Sequence, residues 1–167
     1  MPGLLQTPDY ARAIMASAWP RAPQEELDRR VRMRLTRQEV LARRDGPHLW
    51  AVVDEAALRR PVGGLEVLRS QLGQLIETAE EPRITLQVAP LSLGSHPAES
   101  GAFTIMRFPA PDLPDVVYIE QLTSALYLDK REDVDSYNEA MERLSIASEP
   151  PDRTPDILRG ILADISL

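Results

Sequence analysis

The stretch MPGLLQTPDYARAIMASAWP, residues 1–20, determines how the fold begins. Thr7 has the side-chain acceptor of a helix N-cap, and Pro8 suits the first helical position, where no backbone donor is needed. These signals predict a helix over residues 8–18 that ends before Pro20. Leu4 and Leu5, which precede this helix, belong either to the core or to a surface through which two copies pair.

Helices also dominate the next sixty residues. A long helix is predicted over residues 24–43, between Pro23 and the breaker Asp45-Gly46-Pro47. A short apolar strand over 48–53 and a helical turn over 54–60 follow. The next helix carries a single apolar stripe, formed by Leu65, Leu68, Leu72, Leu75, Ile76 and Ala79.

The second half of the chain begins with strands. Residues 83–89 alternate apolar and polar side chains, and further strands are predicted over 102–108, 116–119 and 126–128. Short connections favour an antiparallel meander. Two amphipathic helices close the chain: the first has the stripe Val134, Tyr137, Met141 and Leu144, and the second follows the predicted N-cap Thr154 with Ile157, Leu158, Ile161, Leu162 and Ile165.

These elements predict one α+β domain over residues 1–167. We expect a mainly antiparallel sheet of four or five short strands, with helices packed on it. A length of 167 residues is sufficient for one domain with a substantial core.

The amino-acid composition argues against several kinds of binding partner. The net charge of -7 argues against nucleic acid binding by this chain, and no apolar run is long enough to span a bilayer. Cysteine is absent and histidine occurs twice, so we expect no metal and no cofactor. We expect a cytoplasmic protein without membrane contact.

The charge is unevenly distributed along the chain. Residues 21–44 hold eight arginines against four acidic residues, whereas residues 112–167 hold thirteen acidic residues against five basic ones. A basic helix and an acidic C-terminal third can pair within one molecule or between two copies. Alternatively, both are solvated helix faces.

The long helix carries polar residues on its apolar side. At about 100° per residue, Arg34 and Gln38 fall within about 20° of the centre of a stripe formed by Leu27, Val31 and Leu41. A guanidinium that faces inward needs acceptors, because arginine cannot lose its proton. Candidate acceptors follow apolar strand residues, at Asp54, Glu55 and Glu120.

Two interpretations of this pattern stay open. Either Arg34 forms a structural pair with a carboxylate that fixes how the helix packs, or Arg34, Arg37 and Gln38 line a pocket and bind an anionic or amide-bearing ligand. A structural pair is closed, whereas a binding site leaves donors directed into a cavity.

A second candidate site is the loop over residues 93–101, which is long for a hairpin and concentrates glycine and small polar groups. His96 and Glu99 could transfer a proton, or the loop amides could bind an anion. The alternative is a surface loop whose glycines serve turn geometry. Motifs of serine hydrolases, phosphate-binding loops, zinc peptidases and dinucleotide-binding folds do not occur, so the sequence favours a protein that is not an enzyme.

The order and spacing of several segments resemble the C-terminal domain of unknown function 5753, which many actinobacterial XRE-type helix-turn-helix regulators carry. The segments that carry the resemblance are residues 1–13, 34–38, 53–60, 62–64, 71–72, 87–91, 94–96, 101–103, 117–120 and 126–129. Tyr118 and Glu120 lie in one of them and join the candidate ligand-binding residues.

The resemblance implies a regulatory module from which the N-terminal helix-turn-helix module is missing. Such a domain would bind a small molecule or a partner protein and would control the geometry of a homodimer. The alternative is a standalone domain recruited as a small biosynthetic enzyme with an arginine- and carboxylate-lined pocket.

Overall fold

The computed structural model describes residues 1–99, 101–110, 112–121 and 123–165. The chain divides into two compact units, of which the first comprises Met1–Leu91 with Glu149–Leu167 and the second comprises Ser92–Ser148.

Unit 1 contains most of the helices. Its elements are a 3-10 turn at Gly3–Leu5, α1 (Pro8–Ala18), α2 (Gln24–Ala42), β1 (Leu49–Asp54), α3 (Glu55–Arg59), α4 (Leu65–Thr78), β2 (Ile84–Ala89) and, after unit 2, α6 (Thr154–Asp164). The backbone N–H of Tyr10 donates to Thr7 Oγ1 over 3.2 Å, which confirms Thr7 as the N-cap of α1. The predicted elements of this unit are confirmed to within two residues at their ends.

The prediction of one mainly antiparallel sheet was wrong. β1 and β2 form a two-stranded parallel sheet, in which Leu49 is level with Ile84 and Asp54 with Ala89. The reason is the connection between them: α3 and α4 occupy residues 55–78, and a crossover of that length returns the chain in the same direction. The helical stripe between two apolar strands already indicated this parallel unit.

The core of unit 1 lies between α4, α6 and one face of the parallel sheet. Leu68, Leu72 and Leu75 of α4 are completely buried, as is Leu158 of α6. The N-terminal segment contributes Leu5 to the same cluster. The remaining buried members of the cluster are Ala51, Val53, Leu58, Leu86, Val88 and Ile161. Leu5 is thus a core residue and is not available as a dimer surface.

Unit 2 contains the antiparallel strands. β3 (Thr104–Met106), β4 (Val116–Glu120) and β5 (Ala125–Leu128) form a sheet in the order β3-β4-β5, and α5 (Arg131–Ala147) packs against β3 and β4. Val134 and Leu144 are the buried apolar residues of α5. The rings of Phe103 and Tyr137 meet edge to face, with 5.0 Å between their centroids. The predicted stripe of this helix therefore faces its own unit.

Thr154 has a different role from the predicted N-cap. It is the first residue of α6, Arg153 precedes it as N-cap, and no side chain caps that helix end. Instead, the fully buried Thr154 hydroxyl donates to the carbonyl oxygen of Leu86 in β2 over 2.6 Å. The Thr154 side chain, which the sequence predicts as a helix cap, thus forms a hydrogen bond that joins α6 to β2. None of the helices within the described ranges has the length and apolar character needed to cross a membrane.

Replacing Thr154 by valine tests the contribution of this hydrogen bond to stability. Thr154→Val keeps the shape of the side chain but leaves the Leu86 carbonyl without its buried donor, so the free energy of unfolding should fall by about 1–3 kcal/mol. Urea denaturation measures the change. Thr154→Ser is the control, because it keeps the hydroxyl; if both variants lost the same stability, the hydrogen bond would not be the cause.

Candidate functional site

Arg34 and Gln38 of α2 contact the N-terminal segment, defined as residues 1–7. The Gln38 amide nitrogen Nε2 donates to the carbonyl oxygens of Gly3 at 2.9 Å and Gln6 at 2.8 Å. Arg34 Nη1 donates to the side-chain oxygen Oε1 of Gln6 over 2.8 Å. Gly3 lies close to the same guanidinium: a Cβ atom added at Gly3 would be 3.6 Å from Arg34 Nε. Both polar residues are half-buried.

A third side chain holds the same segment from α4. Gln71 is completely buried; its Nε2 donates to the carbonyl oxygen of Leu5 at 2.7 Å, and its Oε1 accepts from the backbone N–H of Thr7 at 2.8 Å. The Gln6 amide in turn donates to the carbonyl oxygen of Met1 over 3.0 Å. We call Arg34, Gln38 and Gln71 the polar clamp.

The polar clamp explains how a segment without regular pairing can be buried. Leu5, Gln6 and Thr7 are exposed by only 2%, 3% and 5%, so their backbone groups need partners inside the protein. Gln71 supplies both a donor and an acceptor, and Gln38 supplies two donors. A carboxylate could not replace either of them, because it only accepts.

The predicted pairing of Arg34 with Asp54, Glu55 or Glu120 was wrong. The acceptor is the neutral amide oxygen of Gln6, and Arg34 is half-buried rather than enclosed. The helical pattern predicts that Arg34 faces the interior. Which acceptor it meets there depends on the position of residues 1–7, and that position brings Gln6 to Arg34. Arg37, at the edge of the stripe, is exposed.

Gln71 is the one clamp residue that is absent from the candidate site residues of the sequence. On the helical projection of α4 it lies about 40° beyond Leu75, outside the apolar stripe that runs from Leu75 to Ile76. Periodicity therefore gives it no inward position, and it is buried because residues 5–7 lie against this side of α4.

Asp54 and Glu55 stabilise local structure at the end of β1. Asp54 is the N-cap of α3 and accepts from the backbone N–H of Ala56 at 2.7 Å. Glu55 pairs with Arg59 at 2.7 Å and accepts from the backbone N–H of Leu91 at 3.0 Å. The Leu91 hydrogen bond and then Arg59 hold the pKa of Glu55 below its usual value, although partial burial opposes them.

The remaining candidates belong to unit 2. His96 Nδ1 accepts from the backbone N–H of Ala98 at 3.2 Å, and the carboxylate of Glu99 accepts from the backbone N–H of His96 at 3.3 Å. These contacts organise the loop as a turn; Ser100 of the same loop lies outside the described residues. The rings of Tyr118 and Tyr127 pack with 5.0 Å between centroids, and Glu120 is exposed at the end of β4.

The arginines of α2 that form ion pairs find local partners. Arg29 and Arg30 both pair with Glu26, one turn away, at 2.9 Å and 2.8 Å, and Arg12 of α1 pairs with Asp28 at 2.6 Å. Arg30 also lies 4.3 Å from the centre of the Trp19 ring. The basic helix therefore uses acidic residues of its own sequence, rather than those of the acidic C-terminal third, within the described part of the chain.

A groove of about 410 Å³ lies beside the polar clamp in unit 1. Its lining residues are Leu4, Leu5, Gln38, Leu41, Ala42, Gln74, Thr78, Glu81, Arg83 and Ile84. The Arg83 guanidinium is engaged by the C-terminal end of α2, where it donates to the carbonyl oxygens of Arg43 at 2.7 Å and Leu41 at 3.2 Å. The groove thus offers apolar side chains together with the amide of Gln74 and the amide oxygen of Gln38, whose Nε2 donates to the N-terminal segment.

The polar clamp and the groove include residues that the sequence selected and residues that it did not. Arg34 and Gln38 lie together at the N-terminal segment, Asp54 and Glu55 at the β1 end, and His96, Tyr118 and Glu120 in unit 2. The donors of Arg34 and Gln38 are directed at the segment, which favours the structural interpretation. That these residues bind a ligand stays a prediction. Among the described residues, no group of three His, Asp or Glu side chains is arranged to hold a metal ion.

A family model for the domain of unknown function DUF5753 matches residues 1–160. The chain belongs to this family. Its segments that carried the resemblance include those that contain the polar clamp, at residues 34–38 and 71–72. No match was found among curated proteins, and none among solved structures.

Removing the Gln71 amide should have a large effect on stability. Gln71→Leu fills the same volume but leaves the Leu5 carbonyl and the Thr7 N–H buried without partners, so we expect a loss of about 2–5 kcal/mol in urea denaturation. Hydrogen exchange at the Thr7 amide should accelerate. Gln74→Leu, on the half-buried side of the same helix, is the control; equal losses in the two variants would contradict the role of the buried amide.

The lowered pKa of Glu55 predicts how the stability of the fold depends on pH. Because its pKa is lower in the folded state than the ordinary value of 4.5, the ionised carboxylate stabilises the fold above that value. This contribution is lost as the pH falls through the lower folded pKa. Glu55→Gln should therefore be less stable than the parent at neutral pH, and the difference should shrink on acidification, measured by urea denaturation. A difference between Glu55→Gln and the parent that did not change with pH would refute the account.

Proposed function

We propose that this DUF5753 chain is the regulatory domain of an XRE-type transcriptional regulator, and that it transmits its state to a DNA-binding module through the N-terminal segment. The observation that carries the proposal is the polar clamp. Residues 5–7 are buried, and residues 1–4 before them are half-buried. Side chains of two different helices hold the segment, so it is packed on the domain rather than hanging from it as a tether.

The clamp provides the physical coupling. A shift of α2 relative to α4 would break hydrogen bonds to Gly3, Leu5 or Gln6, unless the N-terminal segment moved with the helices. Loss of the bond to the buried Leu5 leaves its carbonyl without a partner inside the protein, which costs about 1–3 kcal/mol. Helix movement and segment movement are therefore linked in free energy, and a linkage of this size is typical of regulatory domains.

The groove provides the place where an effector would act. Leu5 and Gln38 line the groove and also take part in the packing of the N-terminal segment, so an occupant would contact the coupling element directly. The apolar side chains Leu4, Leu41 and Ile84 beside two amides suit the side chain of a partner protein. A small molecule is the other effector class, but an open groove buries less of its surface than the enclosed pockets that such ligands prefer.

The regulator is expected to act as a cytoplasmic homodimer. Helix-turn-helix modules read two half-sites one helical turn apart, which requires a two-fold axis elsewhere in the protein. We assign that axis to the present domain, and we assign DNA contact to the module that precedes it and not to this chain.

Fusion of a helix-turn-helix module that does not dimerise by itself to the N-terminus of the full chain tests both parts of the proposal. The fusion should bind an operator with two half-sites at least about tenfold more tightly than the isolated module, in a fluorescence anisotropy titration. Gln38→Leu removes two hydrogen bonds to the segment and should reduce this gain, whereas Gln74→Leu, which lines the same groove, should keep it. A fusion no tighter than the module alone would overturn the proposal.

A further inference from the structure

The outer edge of β2 is closed by its own chain. The Thr154 hydroxyl donates to the Leu86 carbonyl oxygen at 2.6 Å, and the backbone N–H of Glu149 donates to the Val88 carbonyl oxygen at 3.0 Å. The N–H of Ile84, on the same side, donates to the carbonyl oxygen of Glu81 at 2.9 Å. No further strand can be added beside β2.

The outer edge of β1 is different. The Leu49 N–H donates to Arg83, so the backbone groups of Leu49, Ala51 and Val53 point toward β2. Because backbone direction alternates along a strand, the N–H and C=O groups of Trp50 and Val52 point away from β2. Within the described residues, no hydrogen bond outside the β1–β2 ladder uses these four groups.

This edge also lacks the features that protect free edges. Residues 49–53 contain no charged side chain and no proline, which are the usual means of preventing strand addition. Trp50 is 54% exposed, and its indole Nε1 donates to Gln87 Oε1 at 2.7 Å, which holds the ring on one face of the sheet. An ordered aromatic ring beside unpaired backbone groups is what a docked strand would pack against.

We propose that a second copy of this chain pairs with β1 through its own β1, antiparallel and across a two-fold axis at Ala51. This assigns the interface of the homodimer in the proposed function and rests on it. The two sheets then join into a four-stranded sheet in the order β2-β1-β1-β2. Trp50 of each copy lies opposite Val52 of the other, so the four free backbone groups of each copy are paired.

Two observations favour a second copy over another strand. First, the register is self-complementary: it places two aromatic–β-branched pairs on the same face, and it brings His48 of one copy level with the carboxylate of Asp54 in the other. Second, unit 1 holds fifteen basic and sixteen acidic residues, a net charge of -1. Two copies can therefore approach through unit 1 with little repulsion.

The free edge of β5 fits a second copy less well. Leu126 and Tyr127 are 44% and 67% exposed there. Unit 2, however, holds four basic and ten acidic residues, so a symmetric contact through it would bring two net charges of -6 together.

Val52→Pro tests the assignment. Proline removes the outward N–H of Val52, and the ladder with β2 stays complete because that N–H does not belong to it. We expect the dimer dissociation constant to rise by more than about tenfold in sedimentation-equilibrium runs over a concentration series. Val52→Thr keeps the N–H and the branched side chain and should dimerise like the parent. Trp50→Lys, which places a charge on the edge, should weaken the dimer as well and serves if the proline variant does not fold.

Cross-linking reports the register. The natural chain has no cysteine, so an equimolar mixture of Trp50→Cys and Val52→Cys chains should form mixed disulfide dimers on mild oxidation. Ile146→Cys, at an exposed site of α5, should not cross-link with either. A dimer that survives both Val52→Pro and Trp50→Lys would overturn the β1 interface while leaving the proposed function intact. A chain that stays monomeric at all concentrations would overturn both.

Discussion

The buried amide of Gln71 is the interaction on which unit 1 depends. One side chain supplies a donor to Leu5 and an acceptor to Thr7, and it does so from a helix whose other inward residues are leucines. Without it, the Leu5 carbonyl and the Thr7 N–H would be buried unpaired at a combined cost of about 2–6 kcal/mol. That cost would offset the roughly 1.5–3 kcal/mol that the burial of Leu5 contributes. The apolar core and the polar clamp are therefore one structural unit.

The same need for hydrogen-bond partners shapes the sheet. A two-stranded parallel sheet is small, and such sheets are normally covered on both sides. In unit 1, α4 and α6 cover one face, and the chain around Glu149 and Thr154 closes the edge of β2. At Trp50 and Val52 of β1, no hydrogen bond from the described residues closes the outer edge in this way. The proposed regulatory role uses both results: the clamp links the N-terminal segment to the helices, and the free edge provides the symmetric contact.

Much of the local structure could be predicted, and for identifiable reasons. Thr7 followed by Pro8 marks the start of α1, Asp45-Gly46-Pro47 marks the end of α2, and the leucine stripe of α4 specifies its buried face. The same signal failed at Thr154-Pro155, where the hydroxyl bonds the sheet instead of a helix end. A cap residue can form either bond, and only the distance to Leu86 in the folded chain selects one.

By itself, the sequence determined the helices, most strands, the inward direction of Arg34 and Gln38, and membership of the DUF5753 family. These follow from periodicity, from turn chemistry and from the order of matched segments, which are properties of neighbouring residues. Tertiary structure alone decided the partner of Arg34 and the burial of residues 5–7. Each joins residues more than twenty-five positions apart, and such contacts depend on how several elements share one core, which no local pattern encodes.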